Sequence, residues 1–204
     1  MVLGIDFDNT IVHYDALFYR VAVERGWISS AVPARKREVR DCLRRRGREE
    51  DWTALQGYIY GPRMAEAQPF PGALQFFKRA VQQRLPIFII SHKTGRPAVG
   101  PAYDLHQAAR DWLESQGFFD PARIGLPRNN VFFAPTRQDK ISLICSNRCS
   151  HFVDDLEETF LEPGFPADVE MILFGHHEAP PGLRGIRLAR DWSEVSQYVF
   201  GQSI

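Results

Sequence analysis

The chain begins with a short apolar run that ends in two acidic residues. Residues 1–10 read MVLGIDFDNT, so the run at positions 2–5 delivers Asp6 and Asp8. Short apolar runs with β-branched residues are typical of buried strands. A parallel strand that ends in Asp-x-Asp presents carboxylates at the carboxyl edge of its sheet, where open α/β sheets bind ligands. An isolated motif of this kind also suits a strand followed by a turn or a helix cap, so the later signals must decide.

Composition narrows the class of protein. The 204 residues are 44% hydrophobic and include 15 Phe, enough for one α/β core and a modest second element. The formal net charge is zero, which predicts no general attraction to nucleic acid or to an anionic membrane. No apolar run approaches the length of a membrane span, and we expect no signal peptide because the first strand follows Met1 directly.

The three cysteines favour a reducing cytoplasm, because an odd number does not suit a disulfide framework. Cys145 and Cys149 are four residues apart, which places them on one helix face if the helix continues that far. Without other metal-ligand residues at suitable spacing, we expect both to be buried thiols.

Hydrophobic periodicity predicts strands that alternate with helices. After the first strand, the predicted strands cover residues 87–91, 131–133, 152–153 and 169–174, with a short edge strand at 186–188. This alternation predicts an α/β protein with a Rossmann-like parallel sheet covered on both faces. Two stretches interrupt the pattern. Residues 13–68 contain only helical segments (15–26, 33–51 and 52–60), and residues 92–130 contain a Gly/Pro-rich loop and a helix over 103–115.

Three later signals follow in order, and two of them end a predicted strand as Asp6 and Asp8 do. The run IFIIS at 87–91 ends in the hydroxyl of Ser91, Lys140 lies one short helix before the next signal, and HFVDD at 151–155 ends in Asp154 and Asp155. In this order the set resembles the haloacid dehalogenase (HAD) superfamily. The resemblance implies a three-layer α/β/α core of residues 1–12 and 69–204. It also implies that residues 13–68 form a small helical cap that covers the active site and chooses the substrate.

The resemblance makes Asp6 the nucleophile of a phosphoryl transfer, forming an aspartyl-phosphate. Asp8 is then the acid/base that protonates the leaving oxygen and later deprotonates water. An Asp at this second position favours phosphatase or phosphotransferase chemistry over that of dehalogenases or ATP-driven ion pumps.

Two carboxylates and a phosphate need a cation between them, and Mg²⁺ suits oxygen ligands. The resemblance implies ligation by the Asp6 side chain, the Asp8 backbone carbonyl and one acid of the pair Asp154-Asp155. We favour Asp155 as the direct ligand, with Asp154 acting through water or orienting Lys140. Taken alone, the acid pair would better suit the N-cap and first turn of a helix.

Phosphate binding is expected from Ser91, from the backbone at His92 that follows it, and from the Lys140 ammonium. Lys93 competes with Lys140 for this role, and the alternative for Lys93 is a solvated loop lysine.

Candidate substrate contacts lie in the two insertions. Tyr58 and Tyr60 are bracketed by glycines, which suits a substrate-facing loop or a structural turn. Lys93 and Arg96 lie in a Gly/Pro-rich loop that could reach the leaving group or serve the fold alone. Four arginines share one helical face, which suits recognition of a second anionic group or a solvated face balanced by acids: Arg37, Arg40, Arg44 and Arg48.

The sequence therefore predicts a cytoplasmic, Mg²⁺-dependent hydrolase of a small phosphomonoester, whose partner is a small phosphorylated metabolite. A phosphotransferase or phosphomutase using the same aspartyl-phosphate is the alternative within enzymes. The alternative from another class is a non-catalytic binding protein that retains the fold.

Overall fold

The computed structural model describes residues 1–201. The chain divides into two compact units, which we call the sheet unit and the helical unit. The sheet unit contains Met1–Val12, Pro69–Lys93 and the chain from Gln116 onward, and the helical unit contains His13–Gln68 and Thr94–Ser115.

Strands and helices are numbered in chain order across both units. The strands are β1 (Leu3–Ile5), β2 (Val12–His13), β3 (Gln68–Pro69), β4 (Ile87–His92), β5 (Val131–Ala134), β6 (His151–Asp154), β7 (Glu170–Phe174) and β8 (Arg187–Ala189). The α-helices are α1 (Asp15–Glu24), α2 (Lys36–Arg45), α3 (Glu49–Tyr60), α4 (Ala73–Gln82), α5 (Leu105–Ser115), α6 (Arg137–Ser146), α7 (Glu157–Leu161) and α8 (Trp192–Phe200). Single 3-10 turns cover Met64–Glu66 and Arg128–Asn130.

Six strands form one sheet in the order β5-β4-β1-β6-β7-β8, and every neighbouring pair is parallel. β2 and β3 pair separately as a two-stranded sheet. The strand order reverses direction at β1, which is the switch point where doubly wound sheets bind ligands outside their carboxyl ends. The predicted fold class, a Rossmann-like parallel sheet flanked by helices, is confirmed.

The core of the sheet unit contains the central strands and a group of aromatic side chains. Leu3 and Ile5 of β1 are fully buried, as expected for a parallel strand covered on both faces. Trp192, at the start of α8, packs against Phe76 and Phe174 with ring centroids 4.8 and 5.6 Å apart. Its indole Nε1–H donates to the Thr10 carbonyl at 3.0 Å, which attaches the turn after β1 to α8.

Gly4 occupies the middle of the central strand, opposite Phe152 of β6. A Cβ placed on Gly4 would lie 2.5 Å from Cδ2 of Phe152 and 3.0 Å from Sγ of Cys149. The absent side chain therefore makes room for the Phe152 ring.

We expect Gly4→Val to destabilise the fold by about 1–3 kcal/mol, because the added atoms overpack a fixed site. The measurement is the free energy of unfolding in urea. Adding Phe152→Leu to the same chain should recover part of the loss, since the ring supplies the nearest atoms. An unchanged urea midpoint for Gly4→Val would contradict this account of the strand.

Helix boundaries differ from the prediction in residues 33–60. The predicted single helix over 33–51 is instead two, because α2 ends at Arg45 and Gly47 adopts a φ of +69°. The acids at 49–51 form the first turn of α3, where the helix dipole favours negative charge. Tyr58 and Tyr60 lie within α3, in agreement with the predicted helix over 52–60 and not with a loop.

The segment Thr94–Ser115 groups with the helical unit, although the sequence assigned it to the core. Its contacts explain the difference. A Cβ on Gly57 would lie 2.6 Å from Cβ of Pro97, so α3 and this segment meet at close range. Trp112 Nε1–H donates to the Ala67 carbonyl at 2.9 Å. The two insertions pack together because α5 buries its apolar face within the helical unit.

The prediction for the cysteines is wrong for Cys145. α6 ends at Ser146, so Cys149 lies beyond the helix, and Cys145 is exposed whereas Cys149 is buried. Burial raises the pKa of the Cys149 thiol to about 12.

Among the described residues, no helix combines the length and the apolar character that crossing a membrane requires.

Candidate active site

The site lies at the carboxyl edge of the three central strands. Asp6 directly follows β1, Ser91 lies near the end of β4, and Asp154 is the last residue of β6. After Asp6 the chain turns tightly, since the N–H groups of Ile11 and Val12 both donate to the Phe7 carbonyl. Asn9 adopts a φ of +59° within this turn, a conformation that asparagine tolerates better than most residues.

Three carboxylates converge at this edge. Asp6, Asp154 and Asp155 each offer an oxygen within 4.8 Å of the others. Lys140 Nζ donates to Oδ1 of Asp6 and to Oδ2 of Asp154, each at 2.6 Å. Both partners of Lys140 are buried, and the Lys140 side chain is 3% exposed. The ammonium is therefore a fixed internal charge rather than a mobile surface group.

The pKa values of the cluster reflect its excess of negative charge. Burial raises the pKa of Asp6 to about 7, the Lys140 charge opposes this rise, and the Asp154 and Asp8 charges add to it. Burial alone would lower the pKa of Lys140, but the charges of Asp154 and Asp6 outweigh it and raise that pKa above its usual value. Lys140 is charged, and the cluster still has more carboxylates than ammonium groups.

Local structure fixes Lys140 and Asp154. Thr136 caps α6 by accepting a hydrogen bond from the Asp139 N–H at 3.1 Å, which starts the helix one turn before Lys140. Oδ1 of Asp154 accepts the Leu156 N–H at 2.9 Å, so both Asp154 oxygens already have donors.

A second ammonium group pairs with Asp8. Lys93 Nζ lies 3.1 and 2.8 Å from the two carboxylate oxygens of Asp8. Its side chain is only 3% exposed, whereas that of Asp8 is 18% exposed. The backbone N–H of Lys93 donates to the Ala134 carbonyl at the end of β5. The alternative of a solvated loop lysine is therefore wrong.

Two hydroxyl groups at the site are buried. Within residues 1–201, the side-chain oxygens of Ser91 and Thr10 have no hydrogen-bond partner. An unsatisfied buried hydroxyl is costly, so each is a donor available to a bound group. The His92 side chain, which follows Ser91, is exposed.

Solved structures resemble the whole chain. A HAD-family hydrolase from Deinococcus radiodurans R1, with bound phosphate and sodium, has a TM-score of 0.60 at 13% identity, covering 97% of this chain and 94% of its own. A HAD-superfamily hydrolase from Ehrlichia chaffeensis has a TM-score of 0.56 at 12% identity, covering 98% and 95%. A candidate phosphoglycolate phosphatase from Lactobacillus plantarum has a TM-score of 0.53 at 14% identity, covering 96% and 97%. The chain has the fold of the HAD-superfamily hydrolases. No protein-family model and no curated protein matches the sequence.

This is the fold that the resemblance of the motifs implies. Four motif positions lie in the sheet unit at one edge, and the structure joins them by hydrogen bonds or short carboxylate distances: Asp6, Lys140, Asp154 and Asp155.

The predicted substrate tyrosines have internal partners in the helical unit. The Arg25 guanidinium lies 4.1 Å from the Tyr58 ring centroid, and the Tyr14 ring lies 5.0 Å from that of Tyr60. Arg96 is an exposed residue of the same unit. Both tyrosine rings therefore pack within the helical unit.

The arginine face of α2 and the following turn is paired with acids. Its ion pairs join Arg37 and Arg40 to Asp41, Arg44 to Glu49, and Arg48 to Asp51. These contacts favour the solvated, balanced face over recognition of a second anionic group.

Sequence reasoning assigned no role to His176, which the structure places against the acid pair. His176 Nε2 lies 2.9 Å from the Asp155 carbonyl oxygen. The available signal was weak: β7 neighbours β6, so a residue just after β7 lies close to the acids that end β6.

Proposed function

We propose that the protein is a Mg²⁺-dependent hydrolase of small phosphomonoesters that acts through an aspartyl-phosphate on Asp6. The observation that carries this proposal is the buried pairing of Lys140 with Asp6 and Asp154, beside Asp155, at the carboxyl edge of the sheet. The phosphate bound to the D. radiodurans protein of the same fold supports it.

The donor set fits a hard divalent cation. All candidate ligands are oxygens, which Mg²⁺ prefers. Burial raises the pKa of Asp6, and a bound cation would favour its ionised form. Because both Asp154 oxygens already accept hydrogen bonds, Asp6 and Asp155 are the side chains that would hold the ion, with the Asp8 carbonyl as the motif implies. When bound, Mg²⁺ would offset the charges of nucleophile and phosphate.

In the first step, a carboxylate oxygen of Asp6 attacks phosphorus and the bond to the leaving oxygen breaks. Lys140 favours the ionised form of Asp6 and holds its carboxylate in one orientation. Asp8, two residues further along the turn, gives a proton to the leaving oxygen. The buried Ser91 hydroxyl donates to a phosphate oxygen, which satisfies its own hydrogen-bonding capacity.

In the second step, water attacks the phosphorus of the aspartyl-phosphate. Asp8 accepts a proton from that water, and the bond between phosphorus and the Asp6 oxygen breaks. Inorganic phosphate leaves and the Asp6 carboxylate is restored. A phosphotransferase would use the same residues with a substrate hydroxyl in place of water.

The test is phosphate release from a panel of sugar phosphates, nucleotides and other small phosphomonoesters with Mg²⁺. The same assay is repeated after EDTA and after restoring Mg²⁺. We expect release from at least one compound, lost with EDTA and regained with the metal. Release that is unaffected by EDTA would contradict the metal requirement. No release from any compound by folded protein, with or without an added acceptor alcohol, would contradict the phosphomonoester hydrolase.

A further inference from the structure

His176 makes a directed contact with the residue proposed to bind the cation. Its Nε2 lies 2.9 Å from the Asp155 carbonyl oxygen. A carbonyl oxygen only accepts hydrogen bonds, so this ring nitrogen carries the proton and donates. The neutral Nε2–H tautomer and the imidazolium both provide that donor, and the contact therefore does not depend on the charge of His176.

The surrounding backbone holds His176 in place. Gly175, its neighbour, donates its N–H to the Ala189 carbonyl of β8 at 2.7 Å, which ties the end of β7 to the next strand. β7 in turn pairs with β6 in the register that sets Leu173 opposite Asp154. The imidazole is half-buried and reaches Asp155 from a neighbouring, hydrogen-bonded strand.

Asp155 is consequently attached on two sides. On one side, Asp154 accepts hydrogen bonds from Lys140 and from the Leu156 N–H, which fixes the residues flanking Asp155. On the other side, His176 holds the Asp155 carbonyl itself. Fixing the backbone at a ligand residue limits the positions that its carboxylate can take, which lowers the entropy lost when an ion binds.

We propose that His176 is a positioning residue that holds Asp155 for the divalent cation. This role rests on the proposed function, because it requires that Asp155 bind Mg²⁺. Removing the imidazole frees the Asp155 backbone without touching any ligand atom. Loss of a hydrogen bond to a metal-ligand residue weakens metal binding by about 10–100-fold. We expect a loss of affinity of about tenfold here, because His176 contacts the backbone of Asp155 and not its carboxylate.

The experiment measures Mg²⁺ binding directly, by isothermal titration calorimetry on the full chain without substrate. The variants are His176→Ala, His176→Gln, whose side-chain amide restores an N–H donor, and His177→Ala, which removes the exposed neighbouring imidazole as a matched control. We expect His176→Ala to weaken binding about tenfold, His176→Gln to recover part of it, and His177→Ala to bind as the parent does. Metal-free melting temperatures should agree among the four proteins.

A second readout is the dependence of phosphate release on Mg²⁺ concentration. For His176→Ala the half-saturating Mg²⁺ concentration should rise by the same factor, while the rate at saturating Mg²⁺ stays near that of the parent. Parent-like Mg²⁺ affinity in His176→Ala, or equal weakening in His177→Ala, would overturn the proposal for His176 and leave the hydrolase standing. Failure of the parent protein itself to bind Mg²⁺ would instead overturn the metal-dependent function, and this role with it.

Discussion

Asp6→Asn is expected to reduce phosphate release by a factor of at least about 10³, because the amide cannot form the aspartyl-phosphate. The change is nearly isosteric, and the amide oxygen can still accept the hydrogen bond from Lys140 that Oδ1 accepts now. Burial already disfavours the charged form of Asp6, since its pKa is raised to about 7. The fold should therefore tolerate the neutral side chain, and the loss should be one of chemistry.

The measurement is the initial rate on the best compound of the panel, with the melting temperature recorded alongside. Asp168→Asn is the matched control, since it makes the same substitution at an exposed carboxylate of the sheet unit and should leave the rate unchanged. A folded Asp6→Asn protein that keeps more than a tenth of the parent rate would exclude Asp6 as the nucleophile.

Lys140→Met is expected to have the second large effect, on stability as well as on rate. Lys140 is the ammonium that bridges Asp6 and Asp154, and removing it leaves two buried carboxylates without their shared counter-charge. Breaking a buried ion pair from one side costs about 3–5 kcal/mol. We expect a loss of this size in the free energy of unfolding measured in urea with EDTA present, together with loss of phosphate release.

The double variant Lys140→Met, Asp154→Asn separates the two effects. Converting Asp154 to an amide removes one of the two buried carboxylate charges that have lost their counter-charge. Part of the lost free energy of unfolding should therefore return, while the rate of phosphate release stays low. Unchanged stability in Lys140→Met would show that the ammonium does not offset the carboxylates. Parent-like rates in the double variant would exclude Lys140 from the reaction.

The sheet, and the edge that carries the candidate site, could be predicted from the sequence because the signals for each strand are local. An apolar run that ends in Asp6, another that ends in Ser91 and a third that ends in Asp154 each predict a strand with a polar terminus. Parallel pairing then brings the carboxyl ends of these strands to one edge of the sheet, independently of how the connecting segments fold.

The environments of residues outside those strand ends could not be predicted in the same way. They depend on contacts between distant parts of the chain, which hydrophobic periodicity does not encode. For Lys93 the sequence leaves both phosphate binding and a solvated loop position open, because nothing in its neighbours predicts burial against Asp8, 85 positions earlier. Gly57 and Gly61, on either side of Tyr58 and Tyr60, suit a substrate-facing loop and a structural turn equally well. In the structure these glycines instead allow close approach of Pro97 and Tyr103. The contact of His176 with Asp155 could be predicted only with the knowledge that β7 lies beside β6.

The central strand has a further consequence for how the protein is made. Lys140, the hydrogen-bond partner of Asp6, follows it 134 residues later in the chain, and β6 comes after that. Contacts this distant in sequence form slowly, because a long loop must close before they contribute. A nascent chain therefore presents Asp6 without its counter-charge until Lys140 has also been synthesised. We expect regained phosphate release to mark the last stage of refolding, after the helical unit has acquired its own structure.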